Sequence, residues 1–290
     1  SIGDDVQIRG LVEFSNYCRC LCNYCGLRAE NTSVQRYRMS KEEILDVARY
    51  LQKKGIKTIV LQSGEDLHYS SDIVESIIKD IKKETDLAVT LCLGERSYED
   101  YKLWKEAGAD RYLLRQETAN PDLYAQLHPK GSYTNRMQCL KWLKELGYQV
   151  GAGGMVGVPK QSLEHLADDI EFYRDFQPDM IGIGPFIPHP DTPYRDEKSG
   201  DVQMTLKMVA LARIVTRNSL LPATTAIGSI EELGREMALM AGADVVMPNY
   251  TPMAYREKYE IYPNKLCISE DPEQCLGCLK LRIKSVGRTV

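Results

Sequence analysis

The regular alternation of strand-like and helix-like segments is the feature of this sequence that most constrains its fold. Short runs rich in aliphatic and β-branched residues predict strands, and amphipathic stretches between them predict helices. The predicted strands are residues 10–15, 57–62, 88–93, 111–115, 149–156, 180–186, 222–226 and 244–247. The predicted helices are residues 40–54, 71–83, 98–107, 134–146, 162–175, 205–217 and 229–241.

This βα repeat predicts an α/β fold, a (β/α)8 TIM-type barrel that is complete or slightly open. The alternative is an open doubly wound sheet, but no G-x-G-x-x-G motif follows the first strand. No linker divides the chain, so we expect residues 1–290 to form a single barrel domain, with the Cys-rich segment 267–278 packed on it. In such a barrel the functional residues lie at the carboxyl ends of the strands.

Local signals predict where several helices begin and end. Ser40 with Glu43 forms one predicted capping box, and Ser229 with Glu232 forms another. Glycines 55, 108, 147 and 242 stand where helices are expected to end and the backbone φ angle becomes positive.

Charge and cysteine usage exclude several classes of protein. The formal net charge is −4 at pH 7 and no basic run stands out, so neither nucleic acid nor an anionic membrane is an expected partner. No apolar stretch reaches the length of a membrane span and no signal peptide opens the sequence, which predicts a cytoplasmic location. The nine cysteines therefore do not predict a disulfide framework. We expect Cys92 and Cys139 to be core residues.

The first cysteine group follows the first predicted strand. Cys18, Cys22 and Cys25 have the spacing C-x3-C-x2-C, with Tyr24 directly before the last cysteine. Three thiolates on one loop can bind three irons of a 4Fe-4S cluster and leave the fourth iron open for catalysis. A structural zinc site is the simpler alternative, but it needs a fourth ligand, and the next 40 residues contain neither Cys nor His. Cys20 is excluded as one of the three, because C-x-C geometry breaks the spacing.

With these cysteines after its first strand, the sequence resembles the radical S-adenosylmethionine superfamily. The resemblance implies an enzyme that cleaves S-adenosylmethionine reductively to methionine and a 5′-deoxyadenosyl radical. Gly64 and Glu65, after the second strand, occupy the place of the family's glycine–glutamate segment, whose backbone meets the methionine amino group. Tyr24, beside the cysteines, is a further expected cofactor-binding residue.

Later segments resemble one branch of that superfamily, the HydE-type maturases of FeFe hydrogenase. These segments are residues 111–121, 151–157, 182–193 and 222–226. The resemblance implies that Glu117 and Arg136 bind S-adenosylmethionine. It also implies that an anionic group of the substrate meets Arg115, Thr224 and Thr225. The other expected cavity-lining residues are Gln62, Ser63, Met180 and Tyr262.

The last cysteines, Cys267, Cys275 and Cys278, are spaced C-x7-C-x2-C. This spacing resembles an accessory cluster site of the same family, which implies a second iron–sulfur cluster, 2Fe-2S or 4Fe-4S. Reduced thiols or adventitious zinc are the simpler alternatives, because three ligands cannot close a four-coordinate site alone.

The resemblance further implies a substrate and partners. The substrate would be a small-molecule iron complex bearing cysteine, carbon monoxide and cyanide, and the product would be a precursor of the di-iron subcluster of hydrogenase. A low-potential donor such as ferredoxin or flavodoxin would supply the electron, other hydrogenase maturases would be partners, and the setting would be anaerobic.

Four alternatives stay open at this point. A related enzyme acting on a small thiol or thioether could keep every motif quoted above. An amino-acid mutase of the methylornithine synthase type shares the barrel and first cluster, but usually lacks the C-terminal cysteines. A biotin synthase needs further ligands in the barrel, for which Cys92 and Cys139 are weak candidates. A non-enzymatic iron–sulfur carrier would not need the strand-end charges of Arg115, Glu117 and Arg136.

Overall fold

A ring of parallel strands forms the centre of the molecule in the computed structural model, which describes residues 3–266, 268 and 272–290. The strands are β1 Gln7–Ile8, β2 Gly10–Ser15, β3 Thr58–Ser63, β4 Ala88–Cys92, β5 Arg111–Leu113, β6 Gln149–Val156, β7 Met180–Pro185 and β8 Val245–Val246. Strands β2 to β7 form one parallel sheet in chain order, and β1 pairs with β8. All pairings between these strands are parallel, as the βα repeat requires.

Isolated backbone bridges close the sheet into a ring. Met180 at the start of β7 bridges to Leu220, and Pro222 bridges to Val245 of β8. Beyond β8, Asn249 bridges to Leu11 of β2, which joins the last strand position to the first. The predicted (β/α)8 barrel is therefore confirmed, with a seventh strand position reduced to a few bridged residues.

The helices lie between successive strands. They are α1 Lys41–Lys53, α2 Ser71–Glu84, α3 Tyr98–Glu106, α4 Pro121–Leu127, α5 Tyr133–Glu145, α6 Leu163–Phe176, α7 Val202–Thr216, α8 Thr225–Ile230, α9 Gly234–Ala241, α10 Met253–Arg256 and α11 Pro272–Ser285. The capping box of Ser40 and Glu43 is confirmed at α1. Gly55 and Gly147 have φ angles of 75° and 77°, as the predicted helix ends require. Within the described ranges, no helix has the length and apolar character needed to cross a bilayer.

Two predictions around the seventh strand position were wrong. The predicted strand 222–226 ends early, because Thr224 has the extended backbone of an N-cap residue and α8 begins at Thr225. Its β-branched threonines favour a strand by composition, but they start a helix here. The predicted helix 229–241 is divided into α8 and α9, since the Ser229 hydroxyl donates to the Thr225 carbonyl inside α8 and does not cap a new helix.

The main hydrophobic core lies between the outer faces of the strands and the helices. Val89 and Leu91 of β4 are fully buried there, as are Ile44 and Leu51 of α1. Cys139 of α5 belongs to the same core, as predicted, whereas Cys92 at the end of β4 is only partly buried. Because apolar packing is concentrated on the outside of the strand ring, polar and charged side chains can occupy its interior.

Candidate active site

The loop that carries the first four cysteines connects β2 to α1 and lies at the carboxyl end of β2. One side chain that the sequence analysis did not identify, Arg36, holds this loop from within. Its guanidinium donates hydrogen bonds to the carbonyl oxygens of Asn16 (2.5 Å), Leu27 (3.0 Å), Arg28 (2.8 Å) and Asn31 (3.1 Å). A charged group that satisfies four carbonyls fixes the two ends of the loop relative to each other.

The predicted cluster ligands lie close together on this loop, and all three are partly buried. The Cys18 Sγ accepts hydrogen bonds from the backbone N–H groups of Cys20 and Glu65, each at 3.4 Å. Burial raises the pKa of the Cys25 thiol to about 12, so metal binding there must displace a proton. Among the described residues, no three Cys, His, Asp or Glu side chains are already arranged to bind a metal ion. The donor chemistry fits an iron–sulfur cluster, because three thiols stand on one loop beside backbone donors.

A cleft of about 390 Å³ opens beside the cysteines. Its walls come from the cysteine loop, from the turns after β3 and β4, and from α4 and α5. The lining residues are Arg19, Cys20, Leu21, Cys22, Glu65, Glu95, Tyr124, His128, Lys130, Gly131, Ser132, Asn135 and Arg136. Of the predicted site residues, Cys22, Glu65 and Arg136 line this cleft directly.

Arg136 organises the charges of the cleft. Its Nε donates to Glu95 Oε1 at 2.6 Å, its Nη1 donates to the Arg115 carbonyl at 2.5 Å, and its Nη2 lies 4.0 Å from Glu65 Oε1. Glu65 Oε1 also accepts from the backbone N–H of Glu95 at 2.9 Å, and Glu65 Oε2 pairs with Arg19. The cleft therefore offers a guanidinium for a carboxylate ligand and two carboxylates for an ammonium ligand.

Gly64 brings the turn after β3 against the cysteine loop. A Cβ atom at this position would lie 2.2 Å from the Tyr17 carbonyl oxygen and 2.7 Å from Cys18 Cβ. Any larger residue would push the turn away from Cys18. The sequence prediction placed Gly64 and Glu65 beside the cluster, and the structure places both in contact with Cys18 or its neighbour.

Arg115 and Glu117 meet at the carboxyl end of β5. Arg115 Nη2 lies 2.8 Å from Glu117 Oε2 and donates a hydrogen bond to the Gly154 carbonyl at 2.9 Å. Glu117 has a φ angle of 67°, so the backbone is left-handed at this position and not extended.

Tyr24 and the predicted substrate-side residues occupy several places in the barrel. The Tyr24 hydroxyl lies 3.0 Å from His128 Nε2, next to the cleft. Gln62 donates to the Tyr259 hydroxyl at 3.2 Å, and the Ser63 hydroxyl donates to the Gly64 carbonyl at 2.7 Å. Met180 lies at the opposite, amino end of β7, where its sulfur accepts from Arg9 Nη1 at 3.5 Å.

The remaining substrate-side residues surround the start of α8. Thr225 Oγ1 accepts from Arg235 Nη2 at 3.2 Å. Thr224 Oγ1 is buried, and within the described residues no hydrogen-bond partner reaches it. Such a hydroxyl is suited to a ligand that brings its own polar atoms. Burial raises the pKa of Tyr262 well above its ordinary range, so this hydroxyl is a neutral hydrogen-bonding group.

Besides Arg36, sequence reasoning missed three contributors to this region. Glu95 follows β4, and the rule that function lies at the carboxyl ends of strands could have found it. His128 follows α4, and burial lowers its pKa to about 3, so it stays neutral beside Tyr24. Lys265 forms a buried ion pair with Glu13 of β2, whose other carboxylate oxygen accepts from Asn249 at 2.8 Å.

The C-terminal cysteines are only partly described. Cys267 lies outside the described residues. Cys275 is buried and Cys278 is exposed, one helical turn apart on α11, which packs against α9. An accessory cluster at this place stays a prediction.

Comparison with known proteins gives consistent relationships. The sequence profile of the radical SAM superfamily matches residues 12–173. The chain is 55% identical over 287 residues to the FeFe hydrogenase maturase subunit HydE of Thermotoga maritima, which covers 99% of this chain and 82% of that protein. It is 29% identical over 246 residues to the 3-methylornithine synthase of Methanosarcina acetivorans, covering 84% of this chain and 69% of that protein.

Two solved structures share the fold. Methylornithine synthase (PylB) superposes with a TM-score of 0.86 at 24% identity, covering 99% of this chain and 84% of that one. The FeFe-hydrogenase maturase HydG from Carboxydothermus hydrogenoformans superposes with a TM-score of 0.80 at 22% identity, covering 97% of this chain and 67% of that one. At these identities the superpositions bear on the fold alone.

Proposed function

Because the chain belongs to the radical S-adenosylmethionine superfamily, and within it to the family of the HydE maturases, we propose that it serves in assembly of the di-iron subcluster of FeFe hydrogenase. Its reaction is the reductive cleavage of S-adenosylmethionine, and its substrate is an iron complex that carries cysteine, carbon monoxide and cyanide. When bound, the 4Fe-4S cluster supplies the electron that cleaves S-adenosylmethionine to methionine and a 5′-deoxyadenosyl radical.

Cys18, Cys22 and Cys25 hold three irons in this proposal. The N–H groups of Cys20 and Glu65 already point at the Cys18 sulfur, and such donors stabilise a thiolate bound to metal. Arg36 keeps the loop that bears all three cysteines closed, so the ligands stay at a fixed spacing.

The cleft residues orient S-adenosylmethionine. Arg136 would receive the methionine carboxylate, and Glu65 and Glu117 would accept hydrogen bonds from the ammonium group or the ribose. Tyr24 packs beside the cysteines and holds the neutral His128 in place. The position of Glu65 is the observation that carries the proposal. Its backbone N–H contacts Cys18, and its carboxylate lies beside the Arg136 guanidinium.

The barrel interior receives the substrate. Arg115 supplies a cation, and Thr224 and Thr225 supply hydroxyls at the first turn of α8. The substrate's anionic group would compete with Glu117 for Arg115 and would reach the buried Thr224 hydroxyl. Gln62, Ser63 and Tyr262 complete the proposed lining, whereas Met180, at the amino end of β7 beside Arg9, lies away from it. The ring of strands excludes water from a reactive radical.

The decisive assay uses anaerobically reconstituted protein with dithionite and S-adenosylmethionine, with and without a synthetic iron–cysteine–carbonyl–cyanide complex. We expect 5′-deoxyadenosine in both cases and consumption of the complex when it is present. Cys22→Ala should abolish both, while Ser33→Ala, on the exposed side of the same loop, should change neither. Cleavage that leaves the complex intact would favour a related enzyme acting on a small thiol, or an amino-acid mutase. Absence of cleavage by an intact cluster would contradict the proposal.

The partners and the second cluster belong to the same proposal. Ferredoxin or flavodoxin would replace dithionite as the low-potential donor, and other hydrogenase maturases would be partners. Cys267, Cys275 and Cys278 would hold the accessory cluster away from the cleft.

A further inference from the structure

The cysteine loop carries a fourth cysteine to which the proposed function gives no role. Cys20 lies between Cys18 and Cys22 along the loop, and its backbone N–H donates to Cys18 Sγ at 3.4 Å. Cys20 also lines the cleft together with Cys22, Glu65 and Arg136. Cys20 therefore lies beside two proposed cluster ligands and borders the place proposed for S-adenosylmethionine.

Cys18 and Cys25 have a different environment from Cys20. Both pack against the main hydrophobic core, and neither lines the cleft. A cluster held by Cys18, Cys22 and Cys25 would thus have the core on one side and the cleft on the other. With S-adenosylmethionine in the cleft, as proposed above, the iron without a cysteine ligand would face the cleft, and Cys20 lies on that side.

The backbone around Cys20 is fixed, whereas its side chain can turn. The Cys20 N–H donates to Cys18 Sγ at 3.4 Å, and the Cys20 carbonyl accepts from the Ala29 N–H at 2.8 Å. Rotation about χ1 of Cys20 leaves both of these backbone contacts in place. The thiol can therefore change its direction without rearranging the loop.

The chemistry of the thiol suits an iron ligand. Thiolates are the ligands that iron–sulfur clusters ordinarily take at each iron. Because Cys20 is tethered two residues from each neighbouring ligand, its effective concentration at the cluster is high, and closing such short rings costs little chain entropy.

We propose that Cys20 is an exchangeable ligand of the fourth iron, bound when S-adenosylmethionine is absent and displaced when it binds. This inference rests on the proposed function, since it requires the three-cysteine cluster in this loop. In the exchange, the iron–sulfur bond to Cys20 breaks, and bonds form from iron to the methionine amino nitrogen and carboxylate oxygen. The methionine ammonium gives up one proton to bind iron as an amine, the released Cys20 thiolate takes up one proton, and no electron is transferred.

Capping by Cys20 would protect the open iron and weaken the apparent affinity for S-adenosylmethionine. A competing internal ligand reduces the apparent affinity by the fraction of sites left open. If Cys20 caps about nine clusters in ten, its removal should lower the apparent Kd for S-adenosylmethionine about tenfold.

The test compares the wild type, Cys20→Ser, Cys20→Ala and the loop control Ser33→Ala, each reconstituted anaerobically with ⁵⁷Fe. Mössbauer spectra are recorded before and after addition of S-adenosylmethionine. Oxidative conversion to a three-iron cluster is measured in its absence. For the wild type and Ser33→Ala we expect Mössbauer spectra of four sulfur-ligated irons and slow oxidative loss of the fourth iron. One iron should give a distinct Mössbauer signal only after S-adenosylmethionine is added. Both Cys20 variants should show the distinct iron from the start, lose it faster, and bind S-adenosylmethionine more tightly.

A wild-type cluster that already shows the distinct iron without S-adenosylmethionine would overturn the inference. The proposed function would survive that result, because the cluster and its cleavage activity would be intact. The wild-type titration decides this point even when a Cys20 variant assembles poorly. Wild-type protein that holds no four-iron cluster would refute both the inference and the proposed function.

Discussion

Arg136 of α5 donates a hydrogen bond from Nε to Glu95 Oε1 at 2.6 Å, and this contact joins two neighbouring βα units of the barrel. The pair is partly buried and lies at the wall of the cleft, so each residue fixes the orientation of the other. This contact places a guanidinium edge toward the cleft, where the proposed function puts the methionine carboxylate.

Replacing Arg136 by Lys should weaken binding of S-adenosylmethionine by about tenfold or more, since a charged hydrogen bond of this kind contributes about 1.5–3 kcal/mol. Lysine keeps the charge but cannot contact Glu95, the Arg115 carbonyl and a ligand at once. Equilibrium binding to the reconstituted protein measures the effect. The control is Arg174→Lys, whose exposed pair with Asp175 lies on α6. Equal affinity of the wild type and Arg136→Lys for S-adenosylmethionine would show that Arg136 does not bind this ligand.

Replacing Gly64 by Ala should reduce the iron and sulfide content of the reconstituted protein. The added Cβ would lie 2.2 Å from the Tyr17 carbonyl oxygen, so either the turn after β3 or the cysteine loop must shift. The matched control is Gly3→Ala, before β1, where an added Cβ meets nothing within 4 Å. Full cluster content in Gly64→Ala, with normal cleavage, would show that the close approach is dispensable.

Asp169 of α6 should make stability depend on pH. Burial raises the pKa of this carboxyl to about 7, although the Ala119 N–H, 2.5 Å from Oδ1, opposes the shift. The folded-state pKa of Asp169 lies above its pKa in the unfolded chain. The contribution of Asp169 to folding stability is therefore complete below about pH 4 and is lost as pH rises through about 7. Asp169→Asn should therefore lose less stability than the wild type between pH 5 and pH 8. Urea unfolding of both proteins at the two pH values measures this, and parallel losses would contradict it.

Cys278→Ser should lower iron content without abolishing cleavage of S-adenosylmethionine. Cys278 is exposed on α11, whereas the cleft is formed by the cysteine loop, the turns after β3 and β4, and helices α4 and α5. If the accessory cluster exists, Cys278→Ser should lose only the iron of that cluster. Cys25→Ser should lose the catalytic cluster and all activity. Iron analysis and 5′-deoxyadenosine formation measure the two effects. Unchanged iron content in Cys278→Ser would argue against the second cluster.

The regular elements were predictable from the sequence because their signals are local. Aliphatic runs and amphipathic periods placed β2 and β6 at their observed bounds, and Ser40 marked the start of α1. The region after Leu220 was harder. Its β-branched residues favour a strand, but neighbouring strands leave room for only two bridged positions before Thr225 begins α8.

The sequence by itself determined the βα repeat, the three-cysteine motif and the glycine–glutamate turn, since each is encoded within a few neighbouring residues. Only the tertiary structure decided that Glu95 meets Arg136, that Lys265 pairs with Glu13, and that Cys20 faces the cleft. The physical reason is that these contacts join residues on separate turns of the barrel, or depend on how one loop folds. Ring closure and loop packing fix such distances, and local periodicity carries no information about them.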